Sequence, residues 1–126
     1  MLIYVSGPMT GYPKWNYPAF REAALCLREN GHIVLNPAET AGGSTHLTRS
    51  QFLYIDIGYV QAAEALVVLP GWKQSRGALL EVHIAHSLEK PVFWFDPEVG
   101  LGPQIEIERF GVIVTPQQAE LDLDYD

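Results

Sequence analysis

The feature that most constrains the fold is a regular alternation between short apolar runs and longer helical patterns. The apolar runs are rich in β-branched and aromatic residues and end at glycine, proline or asparagine, which is typical of buried strands. We predict strands at Met1–Ser6, His32–Leu35, Ala65–Leu69, Val92–Phe95 and Val112–Val114. We predict helices at Tyr17–Asn30, Arg49–Ala63 and Arg76–Leu88, and a short helix at Gln104–Phe110. This alternation favours an α/β fold with a parallel sheet covered on both faces.

Five strands suit a flavodoxin-like or Rossmann-like three-layer sandwich with a five-stranded parallel sheet in the order 2-1-3-4-5. Ligands of such sheets bind beyond the carboxyl ends of the strands, where the strand order reverses between the first and third strands. This rule selects the loops at residues 7–16, 36–48, 70–75 and 96–103. Residues 38–48 are polar and glycine-rich, and we predict that they form a mobile loop over the site.

Composition excludes several classes of protein. The 126 residues are 48% hydrophobic, which predicts one soluble domain at 1–115 with an acidic, frayed tail at 116–126. A net charge of −7 without a basic stripe argues against a nucleic-acid partner. No apolar run is long enough to span a membrane, and no signal peptide precedes the first strand. The single cysteine, Cys26, excludes an internal disulfide, and together these features predict a cytoplasmic protein.

Two carboxylates on apolar helix faces are the main indication of a site. In the helix after Ser75, Glu81 has small and apolar residues at the neighbouring positions, and Gly77 leaves open space beside it. Asp56 lies within the apolar stripe of the preceding helix. Buried carboxylates are costly unless paired, so they indicate a nucleophile with an acid/base partner, as in glycoside-cleaving sites. The alternative is that Asp56 caps a backbone and Glu81 forms a surface ion pair with Arg76 or Lys73.

Other candidates lie on the selected strands and loops. Tyr4, in the first strand, either carries a hydroxyl toward the same crevice or packs in the core. The loop at 7–11 is glycine-containing but matches no nucleotide fingerprint, so it suggests only a close approach of backbone to ligand. Trp72, on an exposed loop, either stacks on a planar ring or caps the edge of the core. His83 and His86 have no third ligand at suitable spacing, so no metal site is expected.

With these residues in view, the chain resembles the nucleoside 2-deoxyribosyltransferase-like superfamily, and most closely a small phage and bacterial branch related to deoxynucleoside monophosphate N-glycosidases. The resemblance covers residues 1 to about 95. It rests on Tyr-Val-Ser-Gly-Pro-Met-Thr-Gly at 4–11, Asn-Pro-Ala-Glu at 36–39, Asp56 with Glu64 eight residues later, and Leu-Pro-Gly-Trp…Ser-Arg-Gly-Ala-Leu-Leu-Glu at 69–81.

The resemblance implies a role for each matching residue. Glu81 is then the nucleophile on the anomeric carbon, Asp56 protonates the departing base and holds the sugar, and Tyr4 orients the nucleophile. Ser75 would bind a 5′-phosphate, and Pro8 stands where some monophosphate hydrolases have a phosphate-binding serine. We expect the substrate to be contacted by Gly7, Met9, Asn36, Trp72, Ser75 and Gly77.

The resemblance also implies an enzyme that uses no cofactor and assembles as a homodimer or higher homo-oligomer. The predicted function is cleavage or transfer of the N-glycosidic bond of a (2-deoxy)nucleoside or its 5′-monophosphate. The small-molecule nucleoside or nucleotide is the expected partner. Two alternatives stay open: a nucleotide-binding module without chemistry, and a glycohydrolase of nicotinamide nucleotides such as NAD.

Overall fold

The computed structural model describes residues 1–39 and 47–107. Its elements are β1 (Leu2–Ser6), α1 (Tyr17–Glu29), β2 (Ile33–Leu35), α2 (Arg49–Ala62), β3 (Ala65–Val68), α3 (Arg76–Ser87), β4 (Val92–Asp96) and β5 (Gly100–Gln104). The first four strands and the three helices agree with the predicted ones to within one residue at each end. The predicted strand at Val112–Val114, the acidic tail, and residues 40–46 of the predicted loop over the site lie outside the described residues.

The five strands form one sheet in the order β2-β1-β3-β4-β5, which confirms the predicted order of the first four strands. β1 pairs in parallel with β2 on one side and with β3 on the other, where Tyr4 lies opposite Leu66 and Ser6 opposite Val68. β4 continues the parallel part of the sheet beside β3. The strand order therefore reverses between β1 and β3, at the position where such sheets bind ligands.

The last strand differs from the prediction. β5 runs antiparallel to β4, so the sheet is mixed, and it occupies residues predicted to be loop and the start of a short helix. Its Gly-Leu-Gly-Pro-Gln sequence has poor intrinsic strand propensity, but proline is tolerated on an edge strand. A Cβ on Gly102 would lie 2.8 Å from the Trp94 carbonyl oxygen, so only glycine allows this pairing. Residues 105–107 are not helical.

The side chains of β1 alternate between the two faces of the sheet and divide the core in two. Ile3 and Val5 pack on the side covered by α1, whose Phe20 and Leu27 are buried against them. Tyr4 lies on the opposite side, in the cluster that contains residues of α2 and α3. The same alternation places Ser6 on the side of Tyr4. Polar side chains at the carboxyl end of β1 are thus directed toward α2 and α3.

Local signals explain where these two helices begin. At α2, the Thr48 hydroxyl accepts a hydrogen bond from the backbone N–H of Gln51, and the Gln51 side chain accepts one from the N–H of Thr48. At α3, Ser75 is the N-cap as predicted, and its Oγ accepts from the N–H of Ala78 at 3.2 Å. Both helices begin at the carboxyl edge of the sheet. None of the helices at 1–39 and 47–107 has the length and apolarity needed to cross a membrane.

Candidate active site

A pocket of about 130 Å³ opens at the carboxyl edge of the sheet, between β1, α2 and α3. Loops that follow β1, β2 and β3 contribute to its wall, as the switch-point rule predicts. The structure brings together in its lining seven of the predicted site residues, Tyr4, Gly7, Met9, Asp56, Ser75, Gly77 and Glu81.

Glu81 is the buried acidic group of this pocket. Its side chain is 6% exposed, and both of its oxygens accept short hydrogen bonds from β1. The Tyr4 hydroxyl donates to Oε2 at 2.6 Å, and the Ser6 hydroxyl donates to Oε1 at 2.6 Å. The expected proximity of Tyr4 and Glu81 is therefore confirmed. The alternative of a surface ion pair is wrong, because the carboxylate is turned inward from α3 to the sheet.

Burial dominates the electrostatics of these groups. Removal from water raises the pKa of Glu81 to about 8, while the hydrogen bonds from Ser6 and Tyr4 act to lower it. The negative charge of Asp56 adds to the increase in the pKa of Glu81. Burial and the nearby Glu81 charge raise the pKa of Tyr4 well above its ordinary value, so Tyr4 remains a hydrogen-bond donor at physiological pH.

Asp56 is half-buried on α2 and faces the same pocket. It is close enough to Glu81 and Tyr4 for its charge to raise the pKa of both groups. Phe52 and Leu53 add apolar surface one turn earlier on the helix. The two carboxylates that the helix patterns indicated therefore share one cavity, with apolar walls beside them.

Small residues provide the space in front of the carboxylates. A Cβ on Gly77 would have only the Ser75 Oγ nearby, at 4.0 Å, which confirms the predicted open space. At Gly7, glycine is needed for backbone packing and not for space in the pocket. A Cβ there would lie 2.8 Å from the Leu69 Cβ, so glycine lets the loop after β1 pack against the end of β3.

Residues 1–94 match the family described as "Domain of unknown function (DUF4406)". The chain belongs to the DUF4406 family. The fold is similar to that of a 2-deoxyribosyltransferase from the psychrotolerant bacterium Bacillus psychrosaccharolyticus, at 21% identity and a TM-score of 0.61 over 84% of this chain and 77% of that one. No curated protein matches the chain.

Two of the predicted substrate contacts of this DUF4406 protein lie elsewhere. Trp72 was expected on an exposed loop, but it is 2% exposed and contacts the ring of Trp94 on β4 edge-to-face, so the core-edge alternative holds. Asn36 is 5% exposed and is not among the residues that line the pocket. Its Oδ1 accepts a hydrogen bond from the N–H of Ala38 at 3.0 Å, which shapes the turn that places Pro37 at the pocket.

Sequence reasoning missed Ser6 and Arg49, which the structure places at the site. Ser6 follows Tyr4 by two residues, so the strand period would have placed both hydroxyls on one face. Arg49 precedes Asp56 by seven residues, which is two helical turns and the same face of α2. Across 1–39 and 47–107, no three His, Cys, Asp or Glu side chains converge in a way that could hold a metal ion.

Proposed function

We propose that this DUF4406 protein cleaves or transfers the N-glycosidic bond of a (2-deoxy)nucleoside or its 5′-monophosphate, with Glu81 as the nucleophile. The observation that carries the proposal is the inward-facing Glu81 carboxylate, hydrogen-bonded at both oxygens and sharing a pocket with Asp56. The fold it shares with a 2-deoxyribosyltransferase supports the same chemistry. A buried carboxylate with a neighbouring acid is the arrangement that glycosyl transfer requires.

The proposed reaction has two steps. The ionised Glu81 carboxylate attacks the anomeric carbon, a carbon–oxygen bond forms, and the bond between that carbon and the base nitrogen breaks. The electron pair of the broken bond stays on the base, which takes a proton from the carboxylic acid form of Asp56. A water molecule or the nitrogen of a second base then attacks the anomeric carbon and gives its proton to the Asp56 carboxylate, while the bond between that carbon and the Glu81 oxygen breaks and the Glu81 carboxylate is released. Tyr4 holds the nucleophile in position throughout, and we expect it to remain protonated.

The pocket contains features that favour an anionic substrate group at its mouth. Ser75 caps the N-terminus of α3, and Arg49 begins α2, so two helix N-termini and a guanidinium group meet at the carboxyl edge of the sheet. Asp56 and Glu81 lie further along the same two helices. These features support the 5′-monophosphate as the better substrate, with the sugar toward the carboxylates. Pro8 cannot donate a hydrogen bond to that phosphate.

The function is tested by incubating the protein with a panel of nucleosides and nucleoside 5′-monophosphates and measuring release of free base. We expect Glu81→Gln and Glu81→Ala to abolish release and Asp56→Asn to lower kcat by about a hundredfold or more. Glu22→Gln, which removes the charge of an exposed carboxylate on α1, is the matched control. Mass spectrometry of a rapidly quenched reaction would locate the glycosyl group on the peptide that contains Glu81.

The same panel separates the other functions. Tight binding of a nucleotide without turnover would favour a binding module, and nicotinamide release from NAD would favour a glycohydrolase of that cofactor. Equal base release by wild type and Glu81→Ala would contradict the assignment of the nucleophile. The homo-oligomer implied by the resemblance is part of the proposal, and sedimentation velocity tests it.

A further inference from the structure

Ser6 is the second hydrogen-bond donor to the proposed nucleophile. It ends β1, it is fully buried, and its Oγ lies 2.6 Å from Glu81 Oε1. We propose that Ser6 is a positioning residue for Glu81, which holds one carboxylate oxygen while Tyr4 holds the other. This inference rests on the proposed function, since it assigns Ser6 a role in preparing Glu81 for attack.

Two hydrogen bonds, one to each oxygen, fix the orientation of the Glu81 carboxylate, which a single hydrogen bond does not do. The last torsion of a glutamate side chain is broad, so a single hydrogen bond at Oε2 leaves the carboxylate plane free to rotate about that contact. A second hydrogen bond at Oε1 fixes the plane and therefore the direction of the attacking lone pair. Both distances, 2.6 Å, are typical of hydrogen bonds to an ionised oxygen.

The donor is attached to a rigid part of the sheet. Ser6 lies opposite Val68 in the parallel pairing of β1 with β3, and its carbonyl oxygen accepts a hydrogen bond from the N–H of Leu69 at 2.9 Å. Gly7, the next residue, is in close contact with Leu69. The Ser6 backbone is therefore held against β3, and a site built on such elements is positioned more accurately than one built on loops.

The charges around Glu81 show why a second donor matters. Burial raises the pKa of Glu81, Asp56 on α2 raises it further, and the hydrogen bonds from Ser6 and Tyr4 on β1 oppose both effects. The hydrogen bond from Ser6 is the larger of the two that lower the pKa. Arg49 is the charged group that faces the same pocket from the first turn of α2. Loss of the Ser6 hydroxyl should therefore favour the protonated, unreactive form of Glu81.

The test compares Ser6→Ala with Ser6→Thr, which keeps a hydroxyl, and with Val5→Ala, which truncates a buried side chain on the opposite face of β1. The first measurement is kcat/KM for base release as a function of pH. The second is a carbon-13 NMR titration of the Glu81 carboxyl, assigned by its absence in Glu81→Gln, and it needs no activity. Losing one charge-assisted hydrogen bond should lower the acid dissociation constant of Glu81 by about tenfold to a hundredfold, which raises the midpoint of its titration by about one to two pH units.

We expect Ser6→Ala to show this shift in both measurements and to lose kcat more than it changes KM. Ser6→Thr should keep the wild-type midpoint. Val5→Ala should have a lower unfolding free energy than wild type and the same midpoint. An unchanged midpoint in Ser6→Ala would overturn the proposal. If Ser6→Ala does not fold, Ser6→Cys keeps the size with a weaker donor and should shift the midpoint in the same direction. If wild type releases no base, the proposed function fails, while the NMR titration still decides whether Ser6 holds the Glu81 anion.

Discussion

Replacing Glu81 by glutamine should change how the stability of the protein depends on pH. In the folded chain the pKa of Glu81 is raised to about 8, whereas in the unfolded chain the side chain is hydrated and its pKa lies near the ordinary value of 4.5. The folded state therefore holds the proton more tightly than the unfolded state. This contribution to stability is fully present below pH about 4.5 and is lost as the pH rises through about 8.

The magnitude follows from the two pKa values. One pKa unit corresponds to 1.36 kcal/mol, so the interval from 4.5 to about 8 corresponds to about 5 kcal/mol of unfolding free energy. That is a large share of the roughly 5–15 kcal/mol by which domains are stable. Glutamine has nearly the same size as glutamate but carries no charge to desolvate. The unfolding free energy of Glu81→Gln should therefore not show this decrease as the pH increases.

The assay is urea unfolding of wild type, Glu81→Gln and Glu22→Gln at a series of pH values from 4 to 9. Titrations elsewhere in the protein affect all three proteins and cancel in the difference from wild type. We expect Glu81→Gln to gain stability relative to wild type as the pH rises, by up to about 5 kcal/mol. Glu22, whose side chain is exposed on α1, should give a nearly constant difference. Parallel curves for wild type and Glu81→Gln would refute the reasoning, because the two hydroxyls would then fully offset the cost of burial.

Three further substitutions test the pocket and the helices around it. Gly77→Ala should raise the unfolding free energy in urea by up to about 1 kcal/mol, because alanine favours the helix, and should lower base release, because the methyl group enters the pocket. The control is Gly58→Ala in α2, where the space around the glycine is open, and it should stabilise the protein without loss of activity. Arg49→Gln should weaken the binding of a nucleoside 5′-monophosphate, measured by calorimetry, by about tenfold or more and leave the affinity for the nucleoside unchanged. The control is Arg76→Gln, because Arg76 is also the first residue of a helix but does not line the pocket, and this substitution should change neither affinity. Lys90→Met should lower the unfolding free energy by about 1–3 kcal/mol, since the ammonium group donates to three carbonyl oxygens at the end of α2.

Features that depend on neighbouring residues along the chain were predictable. The alternation of apolar runs and helical patterns predicted the order of four strands and three helices, because buried strands and amphipathic helices differ in period. Ser75 was recognised as an N-cap because capping uses a donor only three residues away. Asp56 and Glu81 stood out because each lies on an apolar helix face, and Gly77 because it leaves a gap within the same turn.

Features that depend on contacts between distant residues were decided by the tertiary structure. β5 forms because Gly102 fits against the Trp94 carbonyl and an edge strand accepts a proline, neither of which local propensity records. Trp72 is buried because the turn after β3 packs it into the core cluster between the sheet and α3, where it also contacts Trp94 of β4. Ser6 looked like an ordinary strand residue, and its role appears only where β1 faces α3 across 75 positions of sequence. The sequence alone therefore determined the layers and identified the two carboxylates, and tertiary packing decided which hydroxyl groups hold Glu81, because a hydrogen bond depends on separation in space and not along the chain.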